Sequence, residues 1–404
     1  MPITTQQIPA GWKVMHLNDF ANIIMGQSPP SKAYNQTGEG LPFFQGKADF
    51  DSKNNRPKIR QWTTHTTKIA PQNSILFTVR APVGDVILNN IESCIGRGLA
   101  SIEAKDGGSN KFLFFYLQHI GEQFEKYAQG STFTAINSTE LKNYEINVPS
   151  LSEQTKIATI LSKVDEEIEK VEQIIEQTEK LKKGLMQKLL TKGIGHTKFK
   201  KSELGKIPEE WEVVKLEDIA TVERGKFSHR PRNDKRFYGG DIAFIQTGNI
   251  VNCNGKIKEY TQTLNEKGLS VSRKFDKGTI VLTIAANIGD TGILTFESCF
   301  PDSLVGINVG HEMNNEFLEY YLRTKKTHLN KISTQSAQKN INLEKLRPLL
   351  TVKPPKDEQQ EIAEILNSLE RKISNTKKLK LHLQKLKKGL MADLLSGKVR
   401  TLAN

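Results

Sequence analysis

Several stretches of the sequence carry side chains of the types that contact nucleic acids. The densest lies at residues 224–236, where six lysines and arginines occur within thirteen positions. Lysine and arginine neutralise phosphates, whereas arginine, asparagine and glutamine can form hydrogen bonds with the edges of bases. Residues 27–35 and 53–60 combine basic, amide and hydroxyl side chains in a similar way. These stretches are candidates for contact with a nucleic acid, and a merely solvated basic loop is the simpler alternative.

Residue patterns that would carry out catalysis are missing from the sequence. There is no GxxxxGK[ST] phosphate-binding loop, no GxGxxG after a strand, and no Asn/Asp-Pro-Pro-aromatic motif that would orient an amine for methyl transfer. The fragment Pro301-Asp302 lacks the acidic-x-Lys continuation of a nuclease site. The eight histidines are scattered singly, and Cys94, Cys253 and Cys299 form no CxxC pair. We therefore expect no catalytic activity, no metal site and no disulfide framework in this chain.

Charge and hydropathy narrow the class of protein further. The net charge of +13 suits a polyanionic partner, although a basic soluble surface would account for it alone. No run of eighteen apolar residues occurs, and the N-terminal MPITTQQIPAGW has neither a basic head nor an apolar core. We expect a cytoplasmic protein without a membrane span, and its 404 residues predict two or three domains.

A forty-residue segment occurs twice in the chain. Residues 151–190 match residues 356–395 at a constant offset of 205, and the block LKKGLM at 181–186 returns unchanged at 386–391. Apolar residues recur at spacings of three and four in both copies, which predicts two long helices with a coiled-coil stripe. A helix of about 38 residues is roughly 57 Å long, too long to bury its stripe in one small domain. The other copy is therefore the expected partner.

The ends of both predicted helices carry stop and start signals. Ser152 and Asp357 are the predicted N-caps, and Gly193 and Gly397 are predicted left-handed residues after the last turns. The residues predicted to pair the helices or to contact a partner subunit are Ile157, Leu161, Val164, Ile168, Val171, Ile175, Leu181, Gly184, Leu185, Ile362, Leu366, Leu369, Ile373, Leu386, Gly389 and Leu390.

Gly184 and Gly389 stand at matched positions inside these helices. Glycine costs about 1 kcal/mol relative to alanine in a helix interior. A glycine present in both copies would allow close contact between the helices or the approach of a partner, and a tolerated blemish is the alternative.

The segments between the helices are also repeated. Residues 8–26 match residues 207–225, including a Pro-x-x-Trp opening, and LFTVRAPVGDV at 76–86 matches VLTIAANIGDT at 281–291. These segments are rich in Val, Ile, Phe and Thr and are interrupted by Gly, Pro and Asn, a pattern that predicts strands and turns. Cys94 and Cys299 are predicted to be the same buried position in two repeats.

The repeats predict an α+β protein with two mixed α/β globular domains separated by two long antiparallel coiled-coil helices, related by an internal pseudo-twofold axis. The predicted domains are residues 1–150, the first long helix at 151–195, a second globular domain at 196–355, and the second long helix at 356–404.

The chain resembles the specificity subunits of type I restriction-modification systems. The resemblance rests on the Pro-x-x-Trp openings, the tract GSTFTAIN at 130–137, and the Pro-x-x-x-Glu-Gln helix entries with their LKKGLMQKLLT ending. It implies two target recognition domains, each contacting one half of a bipartite double-stranded DNA site. It also implies that the paired helices set the spacing and dock two methyltransferase subunits, with restriction subunits joining outside. The second repeat departs from the pattern, since AQKNIN at 337–342 stands in place of TFTAIN.

The resemblance also implies that the partner subunits bind the cofactors and carry out catalysis. S-adenosylmethionine, ATP and magnesium are expected only in the methyltransferase and restriction subunits, and this chain is expected to be a non-catalytic subunit. Two alternatives stay open: a coiled-coil scaffold that binds no DNA, and a DNA-binding regulator that needs no partner.

The candidate DNA-contacting residues lie in the basic and amide-rich stretches of both repeats. In the first repeat they are Gln27, Ser28, Lys32, Tyr34, Asn35, Gln45, Lys53, Arg56, Lys58, Arg60, Arg80, Arg97, Thr132 and Phe133. In the second they are Arg224, Lys226, Arg230, Arg232, Arg236, Gln246, Lys256, Lys258, Arg273, Lys274, Lys339 and Asn340.

Matched positions divide these candidates into two kinds. Arg80 and Arg97 are replaced by Ala285 and Asp302 in the second repeat, as base-contacting positions would be, although drift on an idle surface gives the same pattern. Gln45 and Gln246 are retained at matched positions. Retention suits base contacts and shared scaffold hydrogen bonds equally.

Overall fold

A computed structural model describes residues 8–51, 55–128, 135–285, 287–333 and 340–401, and of residues 122–128 the helical backbone only. The chain forms two compact units. The first unit comprises Met1–Ile174 and Thr376–Asn404, and the second comprises Ile175–Asn375. Each unit therefore contains one globular region and one half of each long helix.

The first unit contains short strands, three helices and a part of each long helix. Its strands, β1 to β13, are Lys13–His16, Ala21–Met25, Tyr34–Asn35, Leu41–Phe44, Phe50–Asp51, Arg56–Pro57, Trp62–Thr63, Ile69–Ala70, Ile75–Thr78, Val86–Leu88, Ser93–Ile95, Leu99–Ala104 and Glu145–Val148. Its helices are α1 (Leu17–Phe20), α2 (Asn110–Ala128), α3 (Ser138–Lys142) and the first part of α4 (Leu151–Lys192), with 3-10 turns at Ser31–Ala33 and Lys47–Asp49.

The second unit has a similar order of elements, with an additional hairpin at its start and additional short helices. Its strands, β14 to β26, are Phe199–Ser202, Gly205–Pro208, Glu212–Lys215, Ala220–Arg224, Tyr238–Phe244, Gly255–Ile257, Gln262–Leu264, Lys274–Phe275, Ile280–Thr283, Thr291–Leu294, Ser298–Cys299, Leu304–Val309 and Leu350–Lys353. Its helices are α5 (Leu216–Ile219), α6 (Thr247–Val251), α7 (Glu266–Ser270), α8 (Asn315–Thr324), α9 (Lys326–Ile332), α10 (Leu343–Leu346) and the first part of α11 (Lys356–Leu395), with a 3-10 turn at Lys235–Phe237.

Besides two two-stranded sheets, the described part of each unit contains two larger sheets. In the first unit they have the strand orders β10-β9-β12-β2 and β3-β7-β4-β11-β8, and in the second β17-β25-β22-β23-β19 and β20-β18-β24-β21. Cys94 pairs with Phe43 and Cys299 with Phe244, each in a parallel pair of strands. Both cysteines are buried, which confirms that they occupy the same position in two repeats.

The long helices pair antiparallel within each unit. In the first unit Lys387 bonds to Asp165 at 2.7 Å and Lys380 to Glu172 at 2.5 Å, so numbering falls along one helix as it rises along the other. In the second unit Lys182 pairs with Glu370. The expected fold class, α+β with antiparallel long helices and an internal repeat, is confirmed.

The apolar stripe of each helix is buried where it meets its partner and the globular region. Ile157, Leu161 and Val171 are buried in the first unit, and Ile362 and Leu366 in the second. The other members of the stripe are partly buried: Val164, Ile168, Ile175, Leu185, Leu369, Ile373 and Leu390.

Leu181 and Leu386 lie off the stripe. From Ile175 the spacing of three and four continues through Thr178, Lys182 and Leu185, so position 181 faces solvent. Leu181 is 53% exposed and its repeat partner Leu386 is 50% exposed. These two leucines do not contribute to the pairing of the helices.

Gly184 and Gly389 are exposed as well. A Cβ atom added at either position would meet no other atom within 4 Å. Close contact between the helices therefore does not explain these glycines.

The N-caps of the two long helices differ from the predicted residues, whereas the residues after their C-terminal ends agree with prediction. Helix α4 begins at Leu151, and Ser150 Oγ accepts a hydrogen bond from the Glu153 N–H at 3.4 Å. Ser152 is therefore a first-turn residue, and Asp357 is one too because α11 begins at Lys356. The predicted N-caps were wrong because both residues lie inside the first turn, and in α4 the capping oxygen belongs to Ser150 instead. Gly193 and Gly397 have φ of 65° and 72°, which confirms the left-handed ends.

The Glu-Gln pair at each helix entry ties three segments together. Trp12 Nε1 donates to Glu153 at 3.1 Å, and Trp211 Nε1 donates to Glu358 at 2.8 Å. The Pro-x-x-Trp and Glu-Gln motifs are thus hydrogen-bonding partners in both units. Burial on its own would raise the pKa of Glu153, but hydrogen bonds from Arg400, the Thr401 N–H and Trp12 lower it, so the carboxylate stays ionised.

The glutamine of each pair joins the helix entry to a second helix. Gln154 Nε2 donates to Pro149 O at 2.9 Å while its Oε1 accepts from the Ser109 N–H at 2.8 Å, just before α2. Gln359 makes the same two bonds, to Pro354 O at 2.8 Å and from the Asn314 N–H at 2.6 Å. The Pro-x-x-x-Glu-Gln motif is therefore a joint between the globular region and the long helix.

Candidate nucleic-acid interface

In the first unit, three loops at the ends of strands bring polar candidates together. The Gln27 N–H donates to Ile95 O at 2.9 Å, and the Arg97 N–H donates to Ser28 Oγ at 3.3 Å. The Val79 N–H donates to Gly98 O at 2.9 Å, which places the Arg80 backbone beside the same loop. We call this set, exposed except for the half-buried Ser28, the first-unit face: Gln27, Ser28, Gln45, Arg80 and Arg97.

Gln45 is presented by a rigid turn. Strand β4 ends at Phe44, and the Gln45 N–H donates to Asp49 Oδ2 at 2.7 Å at the start of the next turn. In the second unit the Gln246 N–H donates to Asn249 Oδ1 at 2.9 Å after β18 ends at Phe244. Both glutamine side chains are exposed. The shared scaffold bonds are thus made by the backbone N–H groups and not by the glutamine side-chain amides.

The neighbouring candidates of the first unit have different surroundings. Asn35 Oδ1 accepts from the N–H groups of Thr37, Gly38 and Glu39, so this amide organises its own loop. Tyr34 OH donates to Pro29 O at 2.9 Å, and its ring packs 4.8 Å from that of Phe43. The remaining basic candidates are exposed: Lys32, Arg56, Lys58 and Arg60.

In the second unit, three of the six basic side chains of the loop at 224–236 form ion pairs with acidic side chains. Arg230 lies 3.4 Å from Asp302, and Arg232 pairs with the same carboxylate. Arg236 bonds to Asp234 at 2.7 Å, and this hydrogen bond holds the pKa of Asp234 well below its usual value. The two ion pairs with Asp302 hold the loop against the turn that carries this residue. All three ion pairs reduce the positive charge that the loop offers to a phosphate.

Two lysines of this loop keep their charge available. Within the described ranges, neither Lys226 nor Lys235 is paired with a carboxylate, and both are exposed. Lys235 lies in the predicted stretch but was not singled out as a contact, because the sequence does not show which cation of the stretch stays unpaired.

Other predicted cations of the second unit also have partners. Lys256 bonds to Glu316 at 2.6 Å, Lys274 pairs with Glu297, and Arg273 bonds to Glu223 at 3.0 Å. Arg224 Nη2 lies 3.5 Å from Asn340 Oδ1, which brings two predicted residues together. Lys258 is exposed. The predicted residues Lys53, Thr132, Phe133 and Lys339 lie outside the described residues.

A cleft of about 660 Å³ opens beside the basic loop of the second unit. Aromatic side chains contribute apolar lining, and Gln246 and Gln262 contribute amides. Gln246 Nε2 donates to Gln262 Oε1 at 2.6 Å. Gln262 was missed at the sequence level, although it stands at the same offset of 201 from Gln61 as Gln246 does from Gln45.

In the part of the chain that the structure describes, no cluster of three or more His, Cys, Asp or Glu side chains could hold a metal ion. None of the helices in those ranges has the length and apolar composition needed to cross a membrane.

The repeat coincides with a known sequence family. A family model described as type I restriction modification DNA specificity domain matches residues 9–180 and again residues 208–385. The chain is 27% identical over 416 residues to the specificity subunit of the type I restriction enzyme MjaVIII from Methanocaldococcus jannaschii, covering 98% of this chain and 94% of the relative. It is 43% identical over 188 residues to the putative MjaX specificity subunit of the same organism, covering 46% of this chain and 44% of that relative.

Solved structures share the fold. The type I restriction-modification S subunit from M. genitalium superposes with a TM-score of 0.60 at 17% identity, covering 97% of this chain and 98% of that chain. The HsdS subunit from Thermoanaerobacter tengcongensis gives a TM-score of 0.53 at 17% identity, with coverages of 99% and 100%. At such identities the superpositions establish the architecture, while the sequence matches establish the relationship.

Proposed function

Because the chain belongs to the type I restriction-modification DNA specificity family, we propose that it is the subunit that selects the DNA site for a methyltransferase and restriction complex. Each unit contacts one half of a bipartite double-stranded site, and the paired helices set the spacing of the halves. S-adenosylmethionine, ATP and magnesium belong to the partner subunits in this proposal. The observation that carries it is a scaffold present twice with different side chains at equivalent strand ends.

The equivalent positions support different contacts in the two units. Arg97 in the first unit corresponds to Asp302 in the second, and Asp302 is the carboxylate that receives Arg230 and Arg232. One unit therefore offers an exposed guanidinium where the other offers a paired one. An asymmetric bipartite site requires two DNA-contacting units that carry different side chains at equivalent positions.

The unpaired lysines of the second unit test the DNA-binding proposal. Lys226→Ala combined with Lys235→Ala should lower the steepness of the plot of log affinity against log salt by about 2, since each phosphate contact contributes about 0.9. The measurement is duplex binding by the chain in complex with its methyltransferase partner at several salt concentrations. Sequence preference should be retained because phosphate contacts carry little sequence information.

A matched double variant removes two positive charges outside the loop at 224–236. Lys215 and Lys353 are paired with Glu217 at 3.8 Å and Glu212 at 3.6 Å. Lys215→Ala combined with Lys353→Ala should leave the salt dependence unchanged. Equal effects of the two double variants would show that the lysines act through net charge alone, and an absence of duplex binding in the native complex would favour the scaffold alternative.

We propose further that the exposed leucines of the long helices contact methyltransferase subunits. Leu181 in the second unit and Leu386 in the first occupy matched positions, next to the exposed Gly184 and Gly389. Two equivalent apolar sites would dock two copies of one partner. An exposed glycine one turn away admits a helix of that partner closely.

Substitution at these leucines tests the docking proposal. Leu181→Asp and Leu386→Asp should each reduce the methyltransferase-to-specificity subunit ratio from two to one, and the double variant should abolish co-purification. Both side chains lie off the buried stripe, so the thermal unfolding of the chain should change little. Leu381→Asp is the control, since Leu381 is 57% exposed and replaces Glu176 of the other repeat. Full binding by the double variant would refute this assignment.

A further inference from the structure

The cleft of the second unit combines the features of a site for one base pair. Phe227 and Phe244 are buried at 2% and 3% exposure and belong to one apolar cluster, so the aromatic lining of the cleft is fixed. Arg232 and Lys235 line the same cleft. Apolar lining, amide groups and nearby cations are the combination that base contacts and phosphate contacts require together.

The two glutamines of the cleft restrain each other. Gln246 follows the end of β18, and Gln262 begins β20 opposite Phe244 in the antiparallel pair. The bond from Gln246 Nε2 to Gln262 Oε1 uses one donor and one acceptor of the pair. Gln246 Oε1 and the Gln262 amide N–H groups stay available, so the pair offers an acceptor and a donor side by side.

The first unit has glutamines at both equivalent positions, since Gln61 stands opposite Phe43 as Gln262 stands opposite Phe244, but among the described residues their side chains are not bonded to each other. Gln45 follows the end of β4 as Gln246 follows β18, yet no side-chain hydrogen bond of Gln45 is found among the described residues. A lone glutamine keeps more rotamers than a paired one and loses more side-chain entropy on binding. The hydrogen-bonded pair in the second unit is therefore more preorganised than the equivalent glutamines of the first unit.

Resting on the proposed function, we propose that Gln246 and Gln262 together recognise an adenine in the half-site contacted by the second unit. Adenine presents N7 as an acceptor and its N6 amino group as a donor in the major groove, which an amide donor and acceptor complement. Guanine presents two acceptors there and leaves the free Gln246 oxygen without a donor. Gln262 is in this account a specificity-determining residue.

An isosteric variant separates recognition from support of the fold. In Gln262→Glu the carboxylate still accepts from Gln246 Nε2, so a bond that merely joins two strands survives. The N–H donor towards the base is lost, and discrimination in favour of adenine at one position should fall by about tenfold or more. Gln262→Ala should relax the same position without creating a new preference. The readout is the set of methylated sites made by the complex of chain and methyltransferase, together with binding to duplexes substituted at each position.

The control variant changes the charge at a residue outside the cleft. Asn254→Asp makes the same change of charge at an exposed loop residue outside the cleft and should leave the target unchanged. A change confined to one position of one half-site supports the assignment. An unchanged target in Gln262→Glu, or an equal loss at every position of both half-sites, overturns it. If the native complex itself selects no bipartite site, the proposed function fails instead, and the native sample shows this before any variant is compared.

Discussion

Arg323→Gln is expected to destabilise the second unit by about 3–5 kcal/mol, because it breaks a buried ion pair and leaves one charge uncompensated. The Glu319 side chain is 2% exposed and bonds to Arg323 at 2.7 Å, while Arg323 also bonds to Glu370 at 2.8 Å. Thr291 Oγ1 donates to Glu319 at 2.8 Å. These groups join the globular region to the long helices within the unit.

The first unit supplies the matched control for this network. Positions 291, 319 and 323 correspond at the offset of 205 to Val86, Phe114 and Gln118. The long-helix ion pair is kept in the first unit, where Lys387 bonds to Asp165 at 2.7 Å and lies 3.5 Å from Gln118. A triple variant, Thr291→Val with Glu319→Phe and Arg323→Gln, should therefore recover most of the stability, since a buried charge network can be replaced by apolar residues of fitting volume.

The pH dependence gives a second readout of the same network. Burial raises the pKa of Glu319 above its ordinary value of 4.5. In Arg323→Gln the carboxyl lacks its main counter-charge, so ionising it costs stability. The deficit of the single variant should be smallest below about pH 4.5 and should grow as pH rises through the folded pKa of Glu319. Denaturant unfolding of the full chain at several pH values measures this, and a single variant that loses less than about 1 kcal/mol at neutral pH would contradict it.

The sequence predicted the parts of this fold that depend on local pattern and on repetition. A period of three and four defined the buried stripe through Ile157, Leu161 and Val171, because helical geometry alone places such residues on one face. The left-handed glycines 193 and 397 were predicted because glycine commonly adopts this conformation directly after the last turn of a helix. For Leu181 the sequence left open whether it pairs the helices or contacts a partner subunit, because an apolar residue within the repeat does not reveal whether it lies on the stripe or beside it.

Interactions between distant segments were not predictable in this way. Trp12 and Glu153 stand 141 residues apart, and Arg232 and Asp302 stand 70 apart. Each motif was visible by itself, but its partner is chosen by the tertiary fold. The same limit applies to the candidate interface: abundance of arginine indicated the loop at 224–236, whereas only the geometry shows that Lys226 and Lys235 keep their charges free and that Gln246 is joined to Gln262.

Exchange of the second globular region is expected to change one half of the DNA target completely and to leave the other half untouched. Each unit has its own hydrophobic core: Leu216, Ile280 and Phe317 belong to that of the second unit, and Leu17, Ile75 and Phe112 to that of the first. Residues 196–355 can thus be replaced by the corresponding region of another family member without altering the side chains of the first-unit face. Glu358 and Gln359 lie outside the exchanged segment, so the incoming region must supply their partners: the matching tryptophan and the backbone groups equivalent to the Asn314 N–H and Pro354 O.

Mapping methylated adenines in DNA from cells that carry the exchanged chain and its methyltransferase partner tests the central claim most directly. The native chain should give one bipartite site with two different halves and a fixed gap. The exchanged chain should keep one of those halves and the gap, and acquire the other half from the donor. Alteration of both halves, or a single uninterrupted target, would contradict the account of two independent readers on one repeated scaffold.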